Sequence, residues 1–141
     1  MAQCVRKKNA KIGFNWVLGN NTYIDEHVII GDKVKIQNNV PVYGRVTMED
    51  GVFIGPHVFF TNDLTPRSTT PEGKLKCYSD WKIVKTVVKE GNSLGANSAI
   101  VCGVTIGRFS MMGAGSLVAK DVPDYSLVYG NPAKIKGYIC K

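Results

Sequence analysis

The most constraining feature of this sequence is a large apolar residue at every sixth position along two stretches of chain. In the first stretch these lead residues are Ile12, Leu18, Ile24, Ile30, Ile36, Val42, Met48, Ile54 and Phe60. In the second they are Val88, Leu94, Ile100, Ile106, Met112 and Val118. The residue four places after each lead is mostly β-branched or small, which favours strands and tight corners.

A period of six fits neither an amphipathic helix, which repeats every ~3.6 residues, nor a half-buried strand, which alternates every two. It is typical of one short strand and one turn per unit, with three hexapeptide units closing one triangular coil. We therefore predict an all-β parallel β-helix in a single domain of residues 1–141. Its expected parts are coils at about 10–63 and 86–122, an inserted loop at about 64–85, and a tail at 123–141.

The rest of the composition narrows the possible partners. Lys and Arg outnumber Asp and Glu by 18 to 11, and this net charge of +7 favours an anionic ligand. There is no dense basic stripe or module for nucleic acid, and no apolar run of the roughly 18 residues needed for a membrane span. The basic start has no apolar segment behind it, and the four cysteines lack metal-ligand spacing. We therefore expect a cytoplasmic protein with reduced thiols and no metal.

Two segments resemble a known family, the hexapeptide-repeat acyltransferases. The tail KDVPDYSLVYGNPAKIKG is similar to the closing segment of its sugar acetyltransferases. The segment KIQNNVPVYGRVTMEDGVFIGPHVFFTND, with the PRS that follows, is similar to the N-acetyltransferases of nucleotide-linked 3-amino sugars. The resemblance implies a left-handed β-helix, a homotrimer with active sites between subunits, acetyl-CoA as co-substrate and a nucleotide-sugar acceptor. The chain begins later than many relatives, so we expect altered nucleotide recognition.

Residues three hexapeptides apart should lie one above another at about 4.8 Å. One such column is His27, Arg45 and Asp63, and Glu26 and Asn62 lie beside it at the point where the repeat stops. This corner is either a substrate site or a solvated charge ladder. We predict that the substrate-binding residues are Glu26, His27, Arg45 and, in the loop, Arg67.

The loop itself is long for a connection in a compact domain, and such loops are often functional. It contains Arg67, Lys74, Lys76, Tyr78 and Trp81, a basic and aromatic mixture suited to an anionic nucleotide sugar. The alternative is an arm that contacts a neighbouring subunit through Trp81.

A second column is Asn21, Asn39 and His57. Asparagine tolerates the left-handed backbone of tight corners, so the asparagines are interpreted as turn residues. His57 stands above them and is a candidate base near neutral pH.

Acyl transfer to an amine needs a hydrogen-bond acceptor that orients the amine. The Asn62 side-chain oxygen is such an acceptor, and the resemblance to the FTN motif, here Phe60-Thr61-Asn62, implies that role. We predict Asn62, Asp63 and His57 as the catalytic residues, with Asp63 and His57 as candidate bases. The resemblance implies that no dedicated histidine base is required, and Asn62 could instead be a corner residue.

The resemblance also places acetyl-CoA along the second series of coils. Its pantetheine would meet the backbone at Gly95-Ala96 and Gly113-Ala114. Its phosphates would meet Lys120 or Lys134, which are point charges suited to phosphate.

Three other functions compete with this interpretation. An O-acetyltransferase would use His57 or His27 as a base to activate a hydroxyl. A γ-type carbonic anhydrase needs three zinc-binding histidines, and this chain has only two. A non-catalytic assembly scaffold would tolerate the long polar insertion without needing it.

Overall fold

In a computed structural model, residues 4–140 form a stack of short β-strands with one 3-10 turn at Tyr78–Asp80. The strands are β1 Val5–Arg6, β2 Lys11–Ile12, β3 Val17–Leu18, β4 Tyr23–Ile24, β5 Ile29–Ile30, β6 Lys35–Ile36, β7 Pro41–Val42, β8 Val46–Met48, β9 Phe53–Ile54, β10 Phe59–Phe60, β11 Thr86–Val88, β12 Ser93–Leu94, β13 Ala99–Ile100, β14 Thr105–Ile106, β15 Met111–Met112, β16 Leu117–Val118, β17 Ser126–Gly130 and β18 Ala133–Tyr138. No helix within these residues has the length and apolarity to cross a bilayer.

Strands of consecutive coils pair in parallel. Each strand nearly always pairs with the strand three places further along the chain, and β15, which pairs with β17, is an exception. Lys11 pairs with Ile29, and Ile29 pairs with Thr47, so consecutive coils are offset by three hexapeptides. The first face contains two sheets, β1-β4-β7 and β10-β13-β16. The second face contains β2-β5-β8-β11-β14, and the third contains β3-β6-β9-β12-β15-β17-β18. The prediction of a parallel β-helix is confirmed, with about seven turns.

The core inside the coil consists of the lead residues and of the valines four places after them, such as Val28, Val34 and Val40. Every lead residue from Ile24 onward is at most 3% exposed, and Ile12 and Leu18 at the open end are partly buried. Backbone bonds between coils fix this stacking, as where the Gly31 N–H donates to the Met48 carbonyl at 2.8 Å. The buried corner serines are satisfied locally, because the Ser116 hydroxyl donates to the Gly113 carbonyl at 2.6 Å.

The corners use left-handed backbone, as the asparagine pattern predicts. Asn21, Asn39 and His57 have φ values of 56°, 59° and 59° and stand in one column. The Asn21 Nδ2 donates to Asn39 Oδ1 at 3.0 Å, and Asn39 Nδ2 lies 3.4 Å from His57 Nε2.

The repeat is interrupted once. Lys35 pairs with Phe53, one regular coil further along the chain, but Phe53 pairs with Ser93. The coil between Phe53 and Ser93 is therefore longer than a regular one by the length of segment 64–85. The first face divides at the same level, between β7 and β10. Pro41 in β7 has no N–H to donate to the coil above, which contributes to this division.

The insertion overturns one predicted column. Val46 pairs with Thr86, so the residue above Arg45 is Lys85 and not Asp63. The column of His27, Arg45 and Asp63 was therefore wrong at its third member. The chain leaves the coil before Asp63 can occupy that position. The six-residue register resumes at Lys85.

The chain ends in a hairpin that caps the last coils. Strand β17 pairs in parallel with β15 and antiparallel with β18. Val128 in β17 is 3% exposed, so the hairpin extends the core beyond the last hexapeptide.

Close stacking of the corners generates a prediction for glycine substitutions. A Cβ on Gly107 would lie 2.4 Å from the Asp124 N atom, whereas one on Gly137 would meet nothing within 4 Å. We expect Gly107→Ala to lower the free energy of unfolding by about 1–3 kcal/mol through overpacking. Gly137→Ala should leave it nearly unchanged. Denaturant unfolding of both variants checks this, and equal losses would contradict the close-contact explanation.

Candidate functional site

The insertion leaves and rejoins the coil at one narrow neck. At the exit, the Thr61 N–H donates to Ile100 O at 3.0 Å, and the Thr61 hydroxyl accepts from Cys102 N at 2.9 Å. The Asn62 carbonyl accepts from Val84 N at 2.9 Å, and Asp63 forms an antiparallel bridge with Ile83. The two ends of the insertion are therefore held side by side, and Asn62 lies between them.

A first cleft, here called the neck cleft, opens between the exit and the start of the insertion. It has a volume of about 290 Å³ and is lined by Asn62, Asp63, Pro66, Arg67, Ser68 and Trp81. Three predicted site residues, Asn62, Asp63 and Arg67, thus share one cavity. The Asp63 carboxylate accepts from Thr65 N at 2.9 Å, so it also shapes the start of the loop.

A second cleft, the aromatic cleft, lies between the insertion and the first face. It has a volume of about 460 Å³ and is lined by Lys7, Tyr23, Asp25, Glu26, Tyr43, Asn62, Tyr78, Trp81 and Ile83. Asn62 and Trp81 border both clefts, so the two cavities meet at these residues. The predicted substrate residue Glu26 enters the site here, half-buried among aromatic rings.

Asp25 organises the coil side of the aromatic cleft. Its carboxylate accepts from the Tyr23 hydroxyl at 3.1 Å and from the N–H groups of Glu26 and Gly44 at 2.9 and 3.2 Å. Burial raises the pKa of Tyr23, and the hydrogen bond to Asp25 raises it further. The Tyr23 hydroxyl therefore stays protonated and keeps its ring fixed, 6.0 Å from the Tyr43 ring between centroids.

A third cavity, the cationic cleft, lies beyond the corner on the second face. It has a volume of about 250 Å³ and is lined by His27, Ile29, Arg45, Thr47 and Lys85. Arg45 also lines a depression of about 420 Å³ with Tyr78, Ser79, Trp81, Lys82 and Ile83, so the cationic cleft borders the same loop residues as the aromatic cleft.

His57 lies elsewhere. It is exposed at the corner between the third and first faces, where its N–H donates to Asn38 O, and none of the clefts described above includes it. Within one copy of the chain, the structure does not bring His57 together with Asn62.

The residues predicted to meet pantetheine occupy the corner that His57 belongs to, in the next two coils. The N–H groups of Gly95 and Gly113 donate to Met112 O and Val128 O, both at 2.9 Å. These hydrogen bonds join consecutive coils. Glycine is needed at 95 because a Cβ there would lie 2.5 Å from Ala114 N. The Ala96 and Ala114 N–H groups have no hydrogen-bond acceptor among residues 4–140.

The two predicted phosphate-binding lysines are exposed on the second series of coils and the terminal hairpin. Lys120 follows β16, and Lys134 lies in β18 opposite Tyr129. Tyr129 also covers Gly113, since a Cβ on that glycine would lie 2.7 Å from the Tyr129 Cβ. Lys134 therefore lies near the corner of Gly113 and Ala114.

Sequence reasoning missed Tyr23, Asp25, Tyr43 and Lys85. The sequence did contain a signal for Lys85. The lead residue Val88 corresponds to the lead residue Met48, and three residues before them are Lys85 and Arg45. Tyr23 is an outward-facing strand residue, and only the folded insertion turns its surface into a cleft. Within residues 4–140, no group of three or more His, Cys, Asp or Glu side chains is arranged to hold a metal ion.

A prism of stacked coils with one insertion is the structure that hexapeptide repeats form, and comparisons with known proteins agree. A family model described as the hexapeptide repeat of succinyl-transferase matches residues 10–43 and 91–120. The fold matches a hexapeptide-repeat acetyltransferase from Vibrio cholerae, solved with acetyl-CoA, with a TM-score of 0.75. That match has 28% identity and covers 93% of this chain and 72% of that one.

Two curated relatives are similar over shorter stretches. A dTDP-3-amino-3,6-dideoxy-alpha-D-galactopyranose 3-N-acetyltransferase from Aneurinibacillus thermoaerophilus is 61% identical over 57 residues, 40% of this chain and 30% of that protein. A galactoside O-acetyltransferase from Lactococcus lactis is 36% identical over 89 residues, 60% of this chain and 42% of that protein. The chain thus spans less than half the length of either relative. Over these stretches the chain is similar to hexapeptide-repeat acetyltransferases.

The neck geometry predicts that the insertion can be removed without loss of the fold. Deleting residues 64–85 joins Asp63 to Thr86 and restores the regular offset of three hexapeptides from Val46. We expect cooperative unfolding within about 5 °C of the parent midpoint, because the core is untouched and a shorter loop closes at lower entropic cost.

The matched control deletes residues 64–86, one residue more. That change moves Val87 into the inward position of Thr86 and reverses which side chains of the strand face the core. Circular dichroism during heating distinguishes the two, and equal destabilisation of both deletions would contradict the register assignment.

Proposed function

We propose that the protein transfers an acetyl group from acetyl-CoA to the amino group of a nucleotide-linked amino deoxy-sugar. The observation that carries the proposal is the half-buried Asn62 amide, which borders both clefts of the insertion. Its side chain has no hydrogen-bond partner in the described part of the chain, so it is free to meet a substrate. The similarity to an N-acetyltransferase of a dTDP-amino sugar supports this acceptor class.

Asn62 suits the orientation of an amine. An amine attacks only when neutral, and a carboxylate in contact with it would stabilise the charged ammonium. The Asn62 Oδ1 accepts one amine N–H without a full negative charge, and this directs the nitrogen lone pair towards the thioester. Glu26 and Arg67, on the aromatic and neck clefts, are proposed to bind the rest of the acceptor.

The proposed reaction needs no side-chain base after the attack. The amine nitrogen bonds to the acetyl carbonyl carbon, and the carbon–sulfur bond then breaks. The departing thiolate takes the proton from the nitrogen, which leaves an amide and free CoA. Backbone N–H groups at exposed turns are able to stabilise the transient oxyanion.

The donor is proposed to lie along the corner of Ala96 and Ala114. Their unpartnered N–H groups are one coil apart, at about 4.8 Å, and are suited to amide carbonyls of an extended pantetheine arm. Lys120 and Lys134 are proposed to bind the phosphates of the coenzyme. The acetyl-CoA in the similar Vibrio cholerae structure supports this co-substrate.

The acceptor clefts and the donor corner lie at opposite ends of the first face. Asn62 follows β10, whereas Ala96 precedes β13 on the same face. About six residues at ~3.3 Å each separate the two corners, so one copy does not bring Asn62 next to the acetyl group. A homotrimer with active sites between subunits would bring the clefts of one copy to the donor corner of its neighbour.

The test is a free-thiol release assay with acetyl-CoA and a panel of UDP- and dTDP-linked amino sugars, plain sugars and alcohols. We expect turnover on an amino sugar that falls about 100-fold in kcat/KM with Asn62→Ala, the scale for losing one positioned hydrogen bond. Asn62→Asp keeps an acceptor oxygen, but its charge stabilises the ammonium, so it should also lose activity. His57→Ala should stay within about twofold of the parent.

The second candidate function is O-acetylation with His57 as base, favoured by the similarity to a galactoside O-acetyltransferase. His57 lies one coil from Asn97 on the donor corner, where the Asn97 N–H donates to Pro56 O. Turnover confined to hydroxyl acceptors and abolished by His57→Ala would establish this function. It would also refute the assigned role of Asn62. Acetyl-CoA binding without turnover on any acceptor would favour the scaffold function.

The donor site makes a separate prediction about charge. Lys120→Ala and Lys134→Ala should each raise the KM for acetyl-CoA several-fold at low salt, and less at high salt, because exposed charges are screened. The matched control is Lys11→Ala, an equally exposed lysine in the first coils. A rise with the control as large as with the two variants would show only a general effect of net charge.

A further inference from the structure

An arginine, a lysine and a histidine stand in one column at the corner beside the insertion. Ile29 pairs with Thr47, and Val46 pairs with Thr86, so His27, Arg45 and Lys85 occupy the same position in consecutive coils. The Thr86 N–H donates to the Arg45 carbonyl at 3.2 Å, which fixes the second step. Neighbours in this cationic ladder are therefore one strand spacing apart, about 4.8 Å.

No carboxylate of the described chain compensates this ladder. Within residues 4–140, the ion pair that forms is between Arg108 and Glu90. Asp63, which regular counting would place above Arg45, is held in the neck. Like charges directly opposite each other on neighbouring strands are destabilising, so the stacked column carries a cost that the folded chain does not offset.

The backbone at this corner is left-handed, as it is at other corners of the coil. His27 and Arg45 have φ values of 57° and 66°, in the left-handed region where asparagine and glycine are tolerated best. The neighbouring corner uses asparagines at Asn21 and Asn39 for the same conformation. Lys33 and Phe109 adopt the same conformation at other corners, so the backbone at His27 and Arg45 is that of the coil, and it is the side chains that point to a ligand here.

The cleft beside the ladder has the chemistry of a phosphate site. Its lining combines an Arg guanidinium, a Lys ammonium, an imidazole and the Thr47 hydroxyl in about 250 Å³. Guanidinium and ammonium groups make charge-assisted hydrogen bonds to phosphate oxygens. Because Arg45 also borders the depression with Tyr78 and Trp81, an anion held here lies next to the loop that forms the aromatic cleft.

We propose that His27, Arg45 and Lys85 bind the diphosphate of the nucleotide-linked acceptor, with Lys85 as the member that the insertion brings into place. This inference rests on the proposed function for the identity of the ligand. The adjoining aromatic cleft then takes a ring of the same molecule, stacked on its exposed tyrosine and tryptophan side chains.

The test measures equilibrium binding of dTDP, inorganic pyrophosphate and CoA to the intact chain, without an acyl donor. We expect Lys85→Gln and Arg45→Gln to weaken dTDP and pyrophosphate binding about tenfold or more and to reduce its salt dependence. The matched control is Lys35→Gln, which removes the same charge from an exposed lysine outside the ladder and the clefts. It should change dTDP binding less than twofold.

A charge reversal separates binding from folding. Lys85→Asp gives Arg45 the carboxylate that regular counting would have supplied. We expect it to abolish dTDP binding while the unfolding midpoint stays level or rises by about 2 °C. A variant that unfolds more easily than the parent and loses binding would contradict the uncompensated ladder.

Two results would overturn the proposal. One is an unchanged affinity for dTDP and pyrophosphate in Lys85→Gln and Arg45→Gln. The other is a loss confined to CoA, which would assign the ladder to the coenzyme. Failure of the proposed function is distinguishable, because ladder-dependent dTDP binding without acetyl transfer to any amino sugar would refute the N-acetyltransferase and keep the ladder.

Discussion

Hydrogen bonding between parallel strands of consecutive coils holds every other feature of this molecule in position. Because each regular coil consists of three hexapeptides, the backbone of one coil fixes the backbone of the next, and the lead residues and the corner valines together fill the interior. Left-handed corner residues such as Asn39 let the chain turn between faces without leaving the ladder of hydrogen bonds. The scaffold is therefore rigid and uniform, and by itself it offers a ligand only flat faces and exposed corners.

The insertion changes that surface at one level only. It leaves beside Thr61 and returns at Val84, so its aromatic and basic side chains fold back over the coils that precede it. Asn62 then lies between two cavities, and Asp25 keeps the ring of Tyr23 in place at the edge of one of them. The same insertion sets Lys85 above Arg45. A single interruption thus places a polar amide, aromatic rings and a cluster of basic side chains within one region of an otherwise repetitive protein.

The periodicity was sufficient to predict the coils, because burial of a lead such as Ile36 requires a six-residue repeat whatever the surroundings. Column positions could be predicted only as far as the count continued, which is why His27 and Arg45 were paired correctly and Asp63 was not. The clefts were beyond prediction, since no periodicity within residues 64–85 says which side of the prism Trp81 covers. The assigned roles of Asn62, Ala96 and Ala114 remain predictions that the proposed assays address.

The neck has a consequence for how such a protein can diversify. Only the two ends of the insertion are specified by the coil, through Asn62 and Val84, and the cost of closing a loop grows only logarithmically with its length. Segments of other lengths and compositions can therefore be exchanged at this point, provided that the chain re-enters the coil in register. The insertion and the prism are therefore specified by separable parts of the sequence, so a loop grafted from a relative should reshape the clefts and leave the prism unchanged.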